Sequence, residues 1–245
     1  MIPQFLLLTV AAYLVGSVPT AYLVARWRRG IDLRKFGSGN IGASNVVASG
    51  SRWSSLIVII FDLSKGAGPV LVARALKMEV YQQAVVGLAA VGGHSWTVFL
   101  RFNGGRGILT ALGVVLALAP WLGVAMAALA FACLPFGQFA LGTLAAVVLL
   151  PLLSWFASGL FQIQPSLSLT LGLAGVPLIA IIRRLTASRT EFSSQVSWGG
   201  LMINRLLFDR DIRDRRLWLG RRTAEVDPPG EMNQATTEST RTSKL

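Results

Sequence analysis

Residues 107–136 read GILTALGVVLALAPWLGVAMAALAFACLPF, an apolar run without a single charged side chain. A helix needs about 20 apolar residues to cross the roughly 30 Å hydrocarbon core of a bilayer, so this run is too long for one ordinary span. Pro120 lies near its middle, and a proline interrupts the hydrogen-bond ladder of a helix. The run therefore predicts two short membrane helices that meet at Pro120.

The charges around this run support the same division. Residues 26–52, residues 101–106 and the segment from Arg183 onward are basic, and basic loops stay on the inner side of a membrane. Between Arg106 and Arg183 the chain must then cross an even number of times, although three apolar regions lie there. Splitting the first one gives seven spans, with the N-terminus outside and the C-terminus in the cytoplasm; six spans with a re-entrant segment are the alternative. The apolar regions are residues 2–25, 54–73, 81–100, 107–136, 140–160 and 167–182.

The composition indicates an all-α polytopic membrane protein. Hydrophobic residues make up 53% of the 245 residues and charged residues only 14%, which exceeds what a soluble interior can bury. The net charge is +12, and the basic residues lie between apolar runs instead of covering a polar surface. This pattern favours anionic membrane lipids as the partner of the basic residues and excludes nucleic acid. Cys133 is the only cysteine. No disulfide, metal or cofactor is predicted.

The sequence divides into three parts. Residues 1–185 form the predicted transmembrane domain, residues 186–222 a basic amphipathic cytoplasmic extension, and residues 223–245 a polar tail predicted to be disordered. Within the extension, residues 198–218, WGGLMINRLLFDRDIRDRRLW, alternate apolar and arginine residues at imperfect helical spacing. This pattern is typical of a basic helix on the inner membrane surface. A solvated helix that contacts a peripheral protein partner is the alternative.

A glycine-rich loop, FGSGNIGASNV at residues 36–46, follows the first span. Its GSGNIG spelling matches a dinucleotide fingerprint, but that motif works between a strand and a helix of a soluble sheet. Gly37, Gly39 and Gly42 allow backbone N–H groups to point at one anion, and small polar side chains add donors. We call residues 34–45 the first turn and predict that it binds phosphate, an ordinary juxtamembrane turn being the alternative. Its candidate residues are Arg34, Lys35, Ser38, Gly39, Asn40, Gly42, Ser44 and Asn45.

A similar turn, NGGRG at residues 103–107, follows the third span, and we call it the second turn. Free N–H groups at a helix start and the fork of an arginine favour an anion, so it is a second predicted phosphate site. Its candidate residues are Asn103, Gly104, Gly105, Arg106 and Gly107, with Arg106 expected to face solvent.

Three titratable residues fall inside apolar spans. Asp62 and Lys65 have i, i+3 spacing, which predicts a pair on one helix face that supports the site or touches substrate. His94, the only histidine, lies about two turns before the second turn. It is either a structural residue with satisfied hydrogen bonds or a functional residue of the site.

Four stretches together resemble the bacterial acyl-phosphate:glycerol-3-phosphate acyltransferases, the PlsY family. They are GSVPTAYLVARW at residues 16–27, DLRKFGSGNIGASNV at 32–46, FDLSKG at 61–66 and GGHSWTVFLRFNGGRGILTALGV at 92–114. The resemblance implies a seven-span inner-membrane enzyme that moves a fatty acyl group from acyl phosphate to the 1-hydroxyl of glycerol 3-phosphate. The products would be 1-acyl-glycerol 3-phosphate and inorganic phosphate, with no metal and no coenzyme.

The resemblance also implies roles for individual residues. Ser38, Asn40, Gly42, Ser44 and Asn45 would line the substrate phosphates with the second turn, and the catalytic candidates are Ser38, Asn45 and His94. Because acyl phosphate is already activated, catalysis would consist mainly of positioning and charge neutralisation. The proton of the acceptor hydroxyl would pass to His94 or to a phosphate oxygen of the substrate.

The sequence also departs from the family pattern. Arg106 stands where the family has lysine, and residues 137–140 lack the family's third motif. The family's C-terminal signature is missing at residues 183–185. Asn204 and Arg205, which come later in the chain after an insertion, are expected to replace part of it. A non-catalytic membrane homologue and a small-anion transporter are therefore the alternative functions.

Overall fold

The computed structural model describes residues 2–49, 52–164 and 166–220, and all regular secondary structure in these ranges is helical. The all-α prediction is confirmed. The helices are α1 Ile2–Ser17, α2 Thr20–Arg29, α3 Ala43–Ala48, α4 Arg52–Ala75, α5 Val80–Ser95, α6 Ile108–Leu118, α7 Pro120–Ala132, α8 Phe139–Phe156, α9 Leu167–Leu185, α10 Trp198–Phe208 and α11 Arg215–Gly220, with short 3-10 turns at Val98–Leu100 and Glu191–Ser194.

Five helical stretches are long and apolar enough to cross a membrane, counted over the described ranges only. They are Ile2–Arg29, Arg52–Ala75, Val80–Leu100, Phe139–Phe156 and Leu167–Leu185. The predicted break at Pro120 is confirmed, because α6 ends at Leu118 and Pro120 opens α7 at a position where a helix tolerates proline. At 1.5 Å per residue these two helices are only about 16 to 20 Å long. Seven complete crossings therefore stay a prediction.

The first predicted span, residues 2–25, lies within the apolar helical stretch Ile2–Arg29, which consists of two helices: α1 ends at Ser17 and α2 begins at Thr20. The break lies at Val18 and Pro19, since proline cannot donate to the helix ladder and restricts the residue before it. The carbonyl groups of Ser17 and Val18 at this break accept hydrogen bonds from the side chains of Thr97 and Lys65, respectively.

Close helix packing positions the polar loops. At the α4–α6 contact, Gly66 lies against the backbone of Thr110, and Gly113 lies against the backbone of Leu63. Side chains at these glycines would separate the two helices, as at the small-residue interfaces of membrane helices. An apolar core then joins α6 to α7, α8 and α9 around Leu122, and bulky side chains such as Leu7, Leu71 and Leu171 point outward as in a lipid-facing surface.

The C-terminal extension is not the single helix that the sequence predicts. Helix α10 ends at Phe208, the following residue Asp209 has a left-handed φ of 55°, and α11 starts only at Arg215. Leu201, Asn204 and Arg205 are buried as α10 packs on α8 and α9. Part of its polar face therefore points into the protein. The predicted disordered tail, residues 223–245, lies outside the described residues.

Candidate functional site

The two predicted turns meet at one open cleft. Ser38, Gly39 and Asn40 line it from the first turn, and Asn103, Gly104 and Arg106 line it from the second turn. Helix α9 and the C-terminal segment, which we define as residues 187–218, form the remaining wall. Their lining residues are Arg183, Ala187, Ser188, Thr190, Arg205, Arg210, Asp211 and Trp218.

Asn45 organises the first turn from beneath. Its side chain is buried, and its Nδ2 donates hydrogen bonds to the carbonyls of Leu33, Phe36 and Asn40 at 3.2, 2.9 and 3.1 Å. Its Oδ1 accepts from the backbone N–H of Ser38 at 3.3 Å. The amide is therefore occupied in shaping the turn. Ser38 and Asn40 are the side chains that this frame presents to the cleft.

The glycines of the first turn differ in conformation. Gly37 and Gly39 have φ of 52° and 71°, the left-handed region that glycine adopts without strain, as the turn prediction requires. Gly42 was expected to need the same freedom, but its φ of −156° is extended backbone open to any residue. The N–H of Gly39 donates to the carbonyl of Phe36 at 2.9 Å, so that group is already used.

The cationic residues of the first turn lie toward its outer side. Arg34 lines the cleft and forms an ion pair of 2.6 Å with Asp32. The hydrogen bond from Arg34 is the main reason that the pKa of Asp32 lies below its ordinary value. Lys35 and Ser44 are exposed, and neither they nor Gly42 line the cleft.

Arg183 fixes the second turn. Its Nη2 donates to Asn103 Oδ1 and to the carbonyl of Gly104, both at 2.8 Å, and its Nε donates to the carbonyl of Gly105 at 3.2 Å. The N–H groups of Gly104 and Gly105 donate in turn to the carbonyls of Ser95 and His94 at 3.2 and 3.1 Å. These two glycines therefore give the turn its close packing, whereas the sequence had indicated free N–H donors.

Arg106 does not face solvent as expected. Its side chain is only 15% exposed, and its Nε lies 2.6 Å from Asp209 Oδ1 in an ion pair. Its Nη1 also donates to the carbonyl of Arg183 at 3.1 Å. The sequence could not show this, because the carboxylate comes from the far end of the chain. Gly107 follows with φ of 76° and precedes α6.

A buried polar group lies behind the second turn. Lys65 Nζ is 2.9 Å from Asp62 Oδ1, so the predicted pairing on α4 is present, and it also donates to the carbonyl of Val18 at 3.0 Å. His94 Nδ1 is 3.8 Å from the same carboxylate oxygen. Lys65 and His94 line a second, much smaller pocket together with Gly104 and Gly105. Lys65, His94 and Asp62 do not line the cleft.

Sequence reasoning missed most of the C-terminal wall. Arg205 Nε lies 2.8 Å from Asp211 Oδ1, and Asp211 Oδ2 accepts hydrogen bonds from Thr190 at 2.5 Å and Ser193 at 2.7 Å. Burial alone would raise the pKa of Asp211, but these three donors together hold it below the ordinary value. The one available signal was the NR pair at Asn204 and Arg205, of which Arg205 lines the cleft.

Five arginines line the cleft, and although Arg34, Arg106 and Arg205 each form an ion pair with a carboxylate, Arg183 and Arg210 leave the cleft with net positive charge. The five are Arg34, Arg106, Arg183, Arg205 and Arg210. Guanidinium groups match the oxygens of phosphate, and small polar side chains provide neutral donors beside them. Within the described residues, His, Cys, Asp and Glu side chains form no group of three that could hold a metal ion. The arrangement is suited to bind phosphorylated compounds.

Comparison with known proteins places this site in a family context. A family model described as glycerol-3-phosphate acyltransferase matches residues 6–189. The chain is 51% identical over 227 residues to glycerol-3-phosphate acyltransferase 4 of Dehalococcoides mccartyi strain CBDB1, covering 91% of this chain and 97% of that relative. It is 46% identical to glycerol-3-phosphate acyltransferase 5 of strain ATCC BAA-2266 of the same species, covering 91% and 96%. A match over 91% of 245 residues extends past residue 189 into the C-terminal segment.

Two solved structures share the fold. One is PlsY (YgiH), an integral membrane glycerol 3-phosphate acyltransferase, in its glycerol 3-phosphate form, with a TM-score of 0.69, 28% identity, and coverage of 87% of this chain and 97% of that one. The other is the lysophosphatidic acid form of the same protein, with a TM-score of 0.68, 27% identity, and coverage of 88% and 98%.

Proposed function

The chain belongs to the glycerol-3-phosphate acyltransferase family, and from this premise we propose that it transfers a fatty acyl group from acyl phosphate to glycerol 3-phosphate. It is a multi-pass membrane acyltransferase of phospholipid biosynthesis. The acceptor site is the 1-hydroxyl, and the products are 1-acyl-glycerol 3-phosphate and inorganic phosphate. The reaction requires no cofactor.

One observation carries the proposal: both glycine turns and five arginines border the same cleft. Donor and acceptor each bring a phosphate group, so a single acyl transfer needs two anion sites within reach of one another. A cationic cleft beside apolar helices meets this requirement, since the fatty chain can remain in lipid while both phosphates stay at the polar end.

The chemical step needs little covalent help from the protein. The 1-hydroxyl oxygen of glycerol 3-phosphate forms a bond to the carbonyl carbon of acyl phosphate, and the carbon–oxygen bond to phosphate then breaks. Phosphate leaves with the bonding electron pair, and the hydroxyl proton passes to a base. In our proposal Ser38 and Asn40 orient one phosphate, Arg106 and Asn103 lie against the other, and the arginines neutralise the charge of the leaving group.

The position of His94 favours a phosphate oxygen of the substrate as the base. His94 lies behind the second turn, 8% exposed, with Nδ1 toward Asp62 and the ring against the backbone of Gly105. A general base must come within hydrogen-bond reach of the hydroxyl proton. We therefore assign His94, Asp62, Lys65 and Asn45 as positioning residues. Gly104 and Gly105 give the second turn its shape, and Arg34 and Gly39, which line the cleft, complete the proposed phosphate-binding set. Lys35, Gly42, Ser44 and Gly107 do not line the cleft and are left out of this proposal.

The proposed location is the bacterial inner membrane, with the N-terminus outside and the cleft at the cytoplasmic face. The basic segments at residues 26–52, 101–106 and beyond Arg183 support this orientation. Residues 1–185 are then the transmembrane domain and residues 186–222 the cytoplasmic extension.

A donor comparison tests the function. Purified protein in detergent is given palmitoyl phosphate, palmitoyl coenzyme A or palmitoyl acyl carrier protein, each with and without glycerol 3-phosphate. We expect phosphate release from palmitoyl phosphate only when glycerol 3-phosphate is present, with an equal amount of 1-acyl-glycerol 3-phosphate formed. Acyl transfer from a thioester donor alone would overturn the choice of donor, and transfer from none of the three would favour a non-catalytic homologue.

A further inference from the structure

Arg210 is a buried arginine that borders the cleft from the C-terminal segment. It is 8% exposed, and its Nε and Nη1 atoms make no hydrogen bond within the part of the chain that the structure describes. The guanidinium carbon lies 5.3 Å from the centre of the Phe208 ring, in a cation–π contact that holds the head group in place. Arg210 is therefore fixed at the cleft with unused donors.

The neighbouring carboxylates do not pair with these donors of Arg210, because each carboxylate is bound to another group. Asp209 pairs with Arg106 at 2.6 Å, and Asp211 pairs with Arg205 at 2.8 Å. Asp214 accepts hydrogen bonds from the backbone N–H groups of residues 216 and 217 at 2.7 and 3.0 Å. Burial lowers the pKa of Arg210, yet an arginine starts so high that it stays protonated at neutral pH.

A buried guanidinium without a partner is costly, and a bound anion in the cleft would offset this cost. The opposite walls of the cleft are the first and second turns, where the proposed function places the substrate phosphates. The planar fork of arginine binds two phosphate oxygens at once.

We propose that Arg210 is a substrate-binding residue whose guanidinium binds a phosphoryl group in the cleft, so that the C-terminal segment completes the site. This inference rests on the proposed function. The ion pair of Arg106 with Asp209 fastens the segment to the second turn, and the pair of Arg205 with Asp211 holds the bend around Arg210 within the segment. The segment thus supplies to the site a cation that the family model, which ends at residue 189, does not include.

Arg210→Ala and Arg210→Lys are compared with Arg213→Ala, which removes an exposed arginine from the same bend that does not line the cleft. The KM values for glycerol 3-phosphate and for palmitoyl phosphate are measured, together with the inhibition constant of inorganic phosphate. We expect Arg210→Ala to raise at least one of the three constants about tenfold or more, and Arg210→Lys to restore only part of the loss. A rise confined to one substrate assigns Arg210 to that substrate's phosphate.

A second readout does not depend on turnover. Inorganic phosphate should raise the thermal unfolding midpoint of the wild-type protein and of Arg213→Ala, and this shift should shrink in Arg210→Ala. If all kinetic constants and the phosphate-induced shift stay within twofold of those of Arg213→Ala, Arg210 is not a substrate-binding residue. A wild-type protein that releases no phosphate from palmitoyl phosphate would refute the proposed donor, while the thermal shift would still test Arg210.

Discussion

Arg106 Nε lies 2.6 Å from Asp209 Oδ1, and this ion pair joins the second turn to a residue more than a hundred positions later in the chain. The same arginine donates to the carbonyl of Arg183, whose own guanidinium holds the carbonyls of Gly104 and Gly105. The second turn is therefore held in place by α9 and by the C-terminal segment together.

Removing Arg106 and removing Asp209 should have different effects. We expect Arg106→Ala to lower kcat/KM about 100-fold, because it removes both a phosphate donor and the anchor, and Arg106→Lys to recover only part of it. Asp209→Asn should lower stability by about 1 to 3 kcal/mol, because the largely buried guanidinium of Arg106 loses its charged partner. It should nevertheless speed trypsin cleavage within residues 205–216. Glu191→Gln, at an exposed site, is the matched control, and cleavage at the same rate in all variants would show that the pair does not fasten the segment.

The buried pair of Asp62 and Lys65 should matter chiefly for stability. Asp62→Asn leaves the buried ammonium without its counterion, which costs about 3 to 5 kcal/mol for pairs of this kind. The double variant Asp62→Leu with Lys65→Met removes both charges and should unfold at a higher temperature than Asp62→Asn. Thermal unfolding in detergent measures both. Equal unfolding midpoints for Asp62→Asn and the wild type would contradict the claim that the Asp62–Lys65 pair stabilises the protein.

The pH dependence of His94→Asn separates positioning from base catalysis. If a substrate phosphate oxygen takes the proton, the rate falls as the pH drops below about 6, where the phosphate dianion becomes protonated. We expect the rate of His94→Asn to fall in acid at the same midpoint pH as that of the wild type, while kcat drops about tenfold or less. If His94 is the general base, the variant should instead lose this fall in rate at low pH, and its rate should be reduced by roughly a thousandfold.

Gly105→Ala tests the close packing behind the second turn. A Cβ at Gly105 would overlap the His94 imidazole and come within 2.5 Å of the Ile41 carbonyl oxygen. We expect the variant to lose most of its activity, because the turn must move away from the first turn. Gly92→Ala is the control, since a Cβ there has open space, and it should leave kcat/KM within about twofold. Full activity in Gly105→Ala would mean that the turn need not be held so tightly.

Asp211 makes the internal structure of the C-terminal segment dependent on pH, because its partners Thr190, Ser193 and Arg205 all lie within that segment. Its pKa lies below the ordinary 3.8, so the folded protein favours the ionised form. The stabilisation is complete above that ordinary value and is lost as the pH falls through the lower folded-state pKa. We expect the wild type to be more stable than Asp211→Asn at neutral pH and this difference to disappear in strong acid. Unfolding midpoints of both proteins across this range measure it, and a constant difference would contradict the linkage.

Local features of the sequence predicted much of the fold. The break at Pro120 and the i, i+3 pairing of Asp62 with Lys65 each depend on neighbours along one segment, and both are present. Pro19 carries the same local signal for the break between α1 and α2, although both helices belong to the one span that the apolar run predicts.

The rest of the site depends on contacts between distant segments. Arg106, Arg183 and Arg210 are placed by tertiary packing, and nothing in their local sequence distinguishes them from the other basic residues of the loops. The glycine turns were recognised by composition, but composition could not show that the N–H groups of Gly104 and Gly105 are already used. Only the fold reveals which donors remain for a ligand.

A crystal structure of the full chain with glycerol 3-phosphate tests the central claim, that both turns serve one phosphate-binding cleft. The account predicts a phosphate in the cleft, with oxygens about 2.7 to 3.2 Å from donors of the first turn or of the arginines that border the second turn. Glycerol 3-phosphate bound elsewhere on the protein, with the cleft between the turns unoccupied by any phosphate, would contradict it.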